Sequence, residues 1–289
     1  MKQMVILSGK GGTGKTVLSA CFAVLAQHKI MADCDVDAAN LYLLLHPEVQ
    51  ETHLFFGMNK ARIDTETCTM CGQCEEVCRF DAIHQTQTGD FKVDPISCES
   101  CGVCSLICPA DAIHMEKNQS GEWYVSKTPY GYFIHAKLGI GEENSGKLVT
   151  EVRKNAKEMA EKTGMEWVIV DGPPGIGCPV IASLSGVDLA LVVTEPTPSG
   201  MHDMKRVVQV ASYFGVKTAC CINKHDLNVA NTEKIQDWCN QNSVPVIGKI
   251  PYDDTVTASM KQGKPLVEFT DNATAGAIKE VWKNLNVSV

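Results

Sequence analysis

The chain has 289 residues, of which 44% are apolar and 21% are charged, and its formal net charge is −8 at pH 7. This composition excludes a disordered or low-complexity chain and allows one full-sized domain plus a small one. Its apolar runs are shorter than the roughly 18 residues of a membrane span, and no secretory leader precedes the first predicted strand, so we expect a cytoplasmic protein without a membrane partner.

Short β-branched runs alternate with helical stretches along most of the chain, which predicts a doubly wound α/β fold with a mostly parallel sheet. The predicted strands are 4–8, 30–34, 132–136, 167–171, 189–194, 218–223 and 246–250. The predicted helices are 16–28, 147–162, 201–214, 232–240, 255–261 and 274–284. In the last helix, Ile278, Val281, Trp282 and Leu285 form one apolar stripe, which favours packing on the core over membrane attachment.

A glycine-rich loop follows the first predicted strand and opens the first predicted helix. Its residues, which match G-x-x-x-x-G-K-[ST], are Gly9, Lys10, Gly11, Gly12, Thr13, Gly14, Lys15 and Thr16. In such a loop the backbone N–H groups point at phosphates, the lysine neutralises the β- and γ-phosphates, and the threonine hydroxyl can bind Mg²⁺. The sequence therefore predicts a nucleotide site with Mg²⁺, the alternative being a glycine-rich turn without a ligand.

Residues 60–118 interrupt the α/β pattern. They contain five Lys or Arg against ten Asp or Glu, so most of the net charge lies in this acidic segment. Nucleic-acid binding relies on clustered basic residues, so the segment argues against nucleic acid as a partner and favours docking to a basic protein surface.

The same segment contains eight of the 14 cysteines, in two groups that repeat after thirty residues. Each group has the C-x₂-C-x₂-C-x₃-C spacing of bacterial ferredoxins, in which the fourth cysteine binds the other cluster. One [4Fe-4S] cluster is thus predicted on Cys68, Cys71, Cys74 and Cys108, and a second on Cys98, Cys101, Cys104 and Cys78. Pro109 follows the last cysteine as in the usual pattern, whereas Arg79 departs from it; two structural zinc sites are the alternative.

Three motifs resemble those of the MinD, Mrp and nitrogenase iron protein superfamily. The loop K-G-G-x-G-K-T resembles its deviant Walker A, 33–37 (D-C-D-V-D) its switch I, and 168–175 its Walker B and switch II. The resemblance implies an ATP-dependent homodimer in which Lys10 reaches the nucleotide of the facing subunit. It also implies that Asp37 orients the attacking water and that Asp171 holds the Mg²⁺ shell, the alternative for Asp35 and Asp37 being simple capping of the next helix.

Two strand ends resemble the base-contact positions of this superfamily. Asn223 lies where the superfamily has its adenine-reading asparagine, and Pro251 with Asp253 resembles the following base-contact loop. An asparagine at a strand end is also an ordinary turn residue.

The whole chain resembles MinD-superfamily ATPases that contain an inserted ferredoxin domain. This implies a P-loop ATPase domain at 1–59 and 119–289 and an inserted α+β, ferredoxin-like domain with two clusters at 60–118. We expect an ATP-gated electron carrier with a protein redox partner or acceptor. An iron-sulfur assembly, carrier or redox-sensing regulatory ATPase is the alternative, and a MinD-like positional role is disfavoured by the last helix.

Six cysteines lie outside the two groups. Five of them fall in apolar helix or strand patterns and are interpreted as small core residues: Cys21, Cys34, Cys220, Cys221 and Cys239. Cys178 lies seven residues after Asp171, as does a cluster-binding cysteine of the nitrogenase iron protein. A packing role and a metal, sulfur or redox role both stay open for it.

Overall fold

Thirteen strands and eleven helices are found in the computed structural model, which describes residues 1–139, 141–142 and 145–288, with side chains through 285. The strands are β1 Lys2–Ser8, β2 Lys29–Asp33, β3 Glu48–Phe56, β4 Lys60–Ile63, β5 Ile83–Gln85, β6 Phe91–Val93, β7 Ile113–Glu116, β8 Gln119–Thr128, β9 Gly131–Leu138, β10 Trp167–Pro174, β11 Leu189–Thr194, β12 Lys217–Asn223 and β13 Val246–Ile250. The helices are α1 Lys15–Leu25, α2 Tyr42–Leu45, α3 Gln73–Glu76, α4 Val103–Ile107, α5 Ser145–Thr163, α6 Cys178–Leu184, α7 Pro198–Tyr213, α8 Val229–Gln241, α9 Thr255–Lys261, α10 Leu266–Phe269 and α11 Ala273–Ser288.

The main sheet has nine strands in the order β13-β12-β11-β1-β10-β2-β9-β8-β3. From β13 to β9 every neighbouring pair is parallel, with β1 at the centre: Met4 pairs with Ile169 of β10 and Leu189 of β11. Only residues 129–130 join β8 to β9, and so short a connection between neighbouring strands requires them to be antiparallel. The carboxyl ends of the seven parallel strands therefore meet at one edge.

Helices cover both faces of this sheet. Alternate residues of the strands, such as Met4 and Ile6, pack with α1, α2, α10 and α11 in one buried cluster. The other face is covered by α5, α6 and α7, which contact the central strands. Side chains alternate between the two faces of a strand, and residues 3–8 of β1 are all buried, so both faces of the sheet are covered at β1. The fold is therefore doubly wound, as predicted.

The seven predicted strands and six predicted helices are confirmed, although several ends differ by a few residues. The apolar stripe of α11 is confirmed as core packing, since Ile278, Val281 and Leu285 are buried and Trp282 packs partly buried against them. The sequence patterns missed β3, β8, α2, α6 and α10, and they predicted no individual strand or helix in the cysteine-rich segment. Most of β3 is exposed, so it lacks the apolar run that marked the central strands.

The chain divides into two compact units. The first comprises Met1–His53, Trp123–Lys137 and Ser145–Val289, and the second comprises Leu54–Glu122 and Leu138–Asn144. The second unit therefore extends beyond the predicted insertion at 60–118 and includes a segment that leads into α5. Strands β3 and β8 belong partly to each unit.

The second unit reproduces the thirty-residue sequence repeat in its backbone. Two antiparallel pairs, β4 with β7 and β5 with β6, accompany the short helices α3 and α4. The left-handed conformation recurs at Gly72 and Gly102, with φ of 77° and 73°. The backbone N–H of Ala82 donates to Cys78 Sγ at 3.3 Å, and that of Ala112 donates to Cys108 Sγ at the same distance. Each half thus has the same turn before its helix and the same N–H···S bond after it.

Candidate functional site

The glycine-rich loop connects β1 to α1 at the carboxyl edge of the sheet. Gly14 has a φ of 93°, and a Cβ there would lie 2.3 Å from Asn223 Nδ2. A Cβ on Gly9 would lie 2.2 Å from Asp203 Cβ. Glycine is required at both positions because the loop runs so close to its neighbours.

A cavity of about 570 Å³ opens above this loop, a volume suited to a small-molecule ligand. Its lining includes residues 11–16, and its other walls come from the ends of β2, β12 and β13 and from α9 and α11. Among the predicted binding residues, Asn223, Pro251 and Asp253 lie on its wall. Gly9, Lys10, Asp37 and Asp171 are outside the described lining, although Lys15 connects Asp171 to it.

Buried charges converge on Lys15. Its Nζ donates to Asp171 Oδ1 at 3.2 Å and lies 3.5 Å from Asp35 Oδ2. The Ser19 hydroxyl, one helical turn further along α1, donates to the same Asp171 oxygen at 2.8 Å. Asp33 joins the group through its Oδ1, which accepts from the backbone N–H of Asp35.

Burial and charge work against each other in this group. Burial opposes the charge of Lys15, but the nearby carboxylates outweigh it and raise the pKa of Lys15. Burial, and then the charge of Asp171, raise the pKa of Asp33 to about 8. Asp33 Oδ2 and Asp171 Oδ2 are buried without a hydrogen-bond partner among the described residues. The group therefore has room for a proton or a cation near these oxygens.

Lys10 lies at the opposite side of the loop and is partly exposed. Its Nζ is 2.6 Å from Glu195 Oε1 and 3.1 Å from Ser199 Oγ. Lys224 reaches the other Glu195 oxygen at 3.4 Å. Burial favours a higher pKa for Glu195, but the hydrogen bond and charge of Lys10 outweigh burial and lower this pKa. One carboxylate thus holds two lysines beside the loop.

Two of the predicted base-contact residues already have protein partners. Asn223 Nδ2 donates to the Thr13 carbonyl at 2.8 Å and so ties the loop to β12. The Asp253 carboxylate accepts from the Thr255 backbone N–H at 2.8 Å and from the side chain of Asn272 at 2.6 Å. Asp253 thereby joins α9 to the start of α11, and this structural role is one that the sequence did not predict.

Asp37 and Cys178 lie at exposed positions near the start of α5. Partial burial raises the pKa of Asp37, while a hydrogen bond from the Ser145 hydroxyl opposes that rise. Cys178 is the first residue of α6 and is exposed, in contrast to the other five cysteines outside the two groups, which are buried as predicted. A Cβ on Gly146 of α5 would lie 3.5 Å from Cys178 Cβ.

From the sequence, no role was predicted for Ser19, Asp33, Glu195 or Lys224. A signal for two of them was available. Asp33 and Glu195 each lie at the carboxyl end of a predicted parallel strand or directly after it, at the edge that the glycine-rich loop marks as the ligand edge.

The eight cysteines of the second unit divide between two small cavities. Lining residues of one cavity include Cys68, Cys71, Cys74 and Cys108. Those of the other include Cys78, Cys98, Cys101 and Cys104. Each cavity thus takes three cysteines from one half of the repeat and the fourth from the other half. Among the described residues, no group of three or more His, Cys, Asp or Glu side chains is placed to hold a single metal ion.

Membrane crossing finds no support in the described part of the chain, where no helix is both long and apolar enough to span a bilayer.

Comparison with known proteins places these features in one family. The CobQ/CobB/MinD/ParA nucleotide binding domain family matches residues 4–266. An uncharacterized protein of Methanocaldococcus jannaschii is 35% identical over 288 residues, which cover 98% of this chain and 96% of the relative.

Two solved structures share the fold at 19% identity. The cell division ATPase MinD of Pyrococcus furiosus superimposes with a TM-score of 0.60, covering 100% of this chain and 99% of that chain. The septum site-determining protein MinD of Pyrococcus horikoshii OT3, complexed with Mg-ADP, gives a TM-score of 0.59, covering 99% of this chain and 96% of that chain.

Proposed function

We propose, because this chain belongs to the CobQ/CobB/MinD/ParA nucleotide-binding domain family, that it binds ATP with Mg²⁺ in the cavity above the glycine-rich loop and hydrolyses it. The observation that carries this proposal is the position of Lys15. It begins α1, lines the cavity and lies 3.2 Å from Asp171 at the strand end. A phosphate at the helix N-terminus would meet both the loop N–H groups and this ammonium group.

The residues present also suit Mg²⁺. Thr16 and Asp35 line the cavity, and Asp171 has a buried oxygen without a partner among the described residues, so hydroxyl and carboxylate oxygens, which Mg²⁺ prefers, are available. When bound, Mg²⁺ would neutralise charge that develops on the phosphates. The proposed task of Asp37 is to orient the attacking water, since its carboxylate is exposed beside the Ser145 hydroxyl.

Two substitutions separate binding from turnover. Lys15→Gln should abolish ATP binding, whereas Asp37→Ala should retain binding and lose turnover, because one residue grips phosphate and the other serves the water. Calorimetry measures the affinity and phosphate release measures the rate, with Asp237→Ala on the exposed face of α8 as the control. Since Lys15→Gln leaves buried carboxylates without their cation, urea unfolding is measured in parallel. Unchanged ATP affinity in a folded Lys15→Gln protein would remove the proposal.

Lys10 supports an ATP-dependent homodimer. Its ammonium group is partly exposed, pairs with Glu195 and lies outside the cavity lining, which supports a role for Lys10 toward a nucleotide of the facing subunit. Lys10→Ala should therefore weaken dimerisation with ATP, as measured by light scattering.

We further propose that the two cysteine-lined cavities each hold a [4Fe-4S] cluster. Four thiols surround each cavity, and thiolates are the ligands that such clusters take. Because the four ligands of a cluster bind different iron atoms, they surround a volume and do not converge on one point. The backbone N–H groups of Ala82 and Ala112 add hydrogen bonds to the sulfurs of Cys78 and Cys108. The clusters would supply one-electron transfer.

The composition of the purified protein tests the cluster proposal. Prepared without oxygen, it should contain about eight iron and eight sulfide per chain, as two four-iron clusters require. Cys108→Ser should damage the cluster of Cys68, Cys71 and Cys74, and Cys78→Ser the other one, which distinct electron paramagnetic resonance signals would report. Stoichiometric zinc without sulfide would end this proposal and leave the ATPase proposal intact.

Together these proposals describe an ATPase whose nucleotide state is coupled to electron transfer toward a protein acceptor. The second unit enters the chain after Asp37 and leads back into α5, whose first residue, Ser145, influences the Asp37 carboxylate. A non-hydrolysable ATP analogue should therefore shift the reduction potential of a cluster by tens of millivolts. For a one-electron couple, a shift of about 59 mV corresponds to a tenfold difference in affinity for the analogue between the reduced and the oxidised protein. Equal potentials with and without the analogue would favour the assembly or sensor alternative.

A further inference from the structure

Large apolar side chains are exposed beside one of the two cysteine-lined cavities. Val77, Phe80 and Val103 line the cavity of Cys78, Cys98, Cys101 and Cys104, yet they are 37%, 44% and 41% exposed. Leu106, one helical turn after Val103 on the same face of α4, is 86% exposed. We name these four side chains, Val77, Phe80, Val103 and Leu106, the apolar patch.

The other cavity has no such patch, and the internal repeat shows this position by position. Thirty residues away, the counterparts of the four patch residues are Ile107, Ala110, Gln73 and Glu76. Only one of these is a large apolar residue, and Ile107 is partly buried. The two halves of the repeat therefore have the same cysteine spacing but different surface residues around the cysteines.

Acidic side chains adjoin the apolar patch. Glu75 is exposed two residues before Val77, and Asp81 is exposed directly after Phe80. Glu99 lies on the lining of the cavity itself. Arg79 is the basic residue within this stretch, so the rim remains acidic. An apolar centre with a charged rim is the usual anatomy of a protein interface.

We propose that the apolar patch is the docking surface for a protein electron-transfer partner whose own apolar contact area is ringed by lysine or arginine. This inference rests on the proposed cluster function and identifies which cluster exchanges electrons with the partner: the one on Cys78, Cys98, Cys101 and Cys104. The step is a one-electron transfer, in which the partner's redox centre gains the electron that the cluster loses and no bond changes. The acidic rim steers the basic partner, and the apolar centre holds it.

Substitution by repeat counterparts tests the surface with little risk to the fold. The double variant Phe80→Ala with Val103→Gln gives the patch the residues that the other half has at Ala110 and Gln73. The control is Met70→Ser, which removes an exposed apolar side chain from the other cysteine loop. Its counterpart Ser100 has the same left-handed backbone, with φ of 57° against 56° at Met70, so serine is accommodated there.

Ferricytochrome c, a small basic electron-transfer protein, is the probe, and its affinity for the oxidised iron-loaded protein is measured by calorimetry. The double variant should weaken binding roughly five- to thirtyfold, and Met70→Ser should leave it within about twofold. Added salt should weaken binding to the wild type.

Iron content separates this inference from the proposal on which it rests. Purified protein without iron would refute both the cluster proposal and the docking surface. If the iron-loaded wild type does not bind cytochrome c, or binds it no more tightly than the double variant does, only the docking surface is refuted. Self-association of the wild type that the double variant abolishes would assign the patch to a second copy of this chain and would also overturn the inference.

Discussion

Asp33→Asn should stabilise the nucleotide-free protein at neutral and alkaline pH. Burial and the neighbouring Asp171 raise the pKa of Asp33 from 3.8 to about 8. Because the folded-state pKa exceeds the unfolded-state value, the Asp33 contribution to stability falls as pH rises from about 4 to about 8 and is constant above that. The amide, which does not titrate, removes this loss.

The size of the effect follows from the two pKa values. Each pH unit between them changes the free energy of unfolding by about 1.4 kcal/mol, which would give about 4 kcal/mol at pH 7. The pKa of about 8 already includes the attraction of Lys15, which opposes the rise. We therefore expect Asp33→Asn to gain a few kcal/mol, up to about 4 kcal/mol, at pH 7 and close to nothing at pH 4.

Urea unfolding followed by tryptophan fluorescence measures this gain, because all four tryptophans, Trp123, Trp167, Trp238 and Trp282, lie in the unit that contains Asp33. The difference between variant and wild type is recorded from pH 4 to pH 9, so that other titrating groups cancel. Asp237→Asn, on an exposed side chain of α8, is the matched control and should show no trend. A gain that is independent of pH, or a loss at pH 7.5, would refute a protonated Asp33.

Two further substitutions test the loop and its lysine. Gly14→Ala should lower ATP affinity about fivefold or more, since φ is 93° there and the added methyl would lie 2.3 Å from Asn223 Nδ2, a strain of about 1–3 kcal/mol. Gly276→Ala, at a position of α11 outside the cavity lining with nothing within 4 Å, should change affinity by less than about threefold, and equal losses in the two variants would contradict this steric argument. Glu195→Gln should release Lys10 from its ion pair and tighten ATP-dependent dimerisation by up to about fivefold. This range follows because a partly exposed ion pair contributes about 0.2–1 kcal/mol. Analytical ultracentrifugation with ATP measures this, and weaker dimers would show that Glu195 positions Lys10 instead of withholding it.

Short-range sequence patterns were sufficient to predict those parts of the structure that depend on residues close together in the chain. The buried central strands read as continuous apolar runs because both faces are covered, and the loop from Gly9 to Thr16 needs its glycines at fixed spacing to wrap around a phosphate. The ferredoxin-type spacing, in which the fourth cysteine crosses over, predicts which cysteines belong together; each of the two cavities is lined by three cysteines of one half of the repeat and the fourth of the other half.

Contacts between residues far apart in sequence were outside the reach of those patterns. Strand β3 is mostly exposed and gives no apolar signal, so its place at the sheet edge is decided by pairing with β8. Asp253 resembled a base-contact residue by position, but Asn272 and Thr255 occupy its carboxylate.

The sequence by itself determined most of the strand and helix pattern, the glycine-rich loop and the regular spacing of the cysteines, since each depends on residue type and short spacing. Only the tertiary structure decided that Glu195 holds Lys10 and that Asp33 joins the Lys15 group. The reason is that the carboxyl ends of parallel strands, distant in sequence, meet at one edge, where burial and the distances between charges set which groups pair.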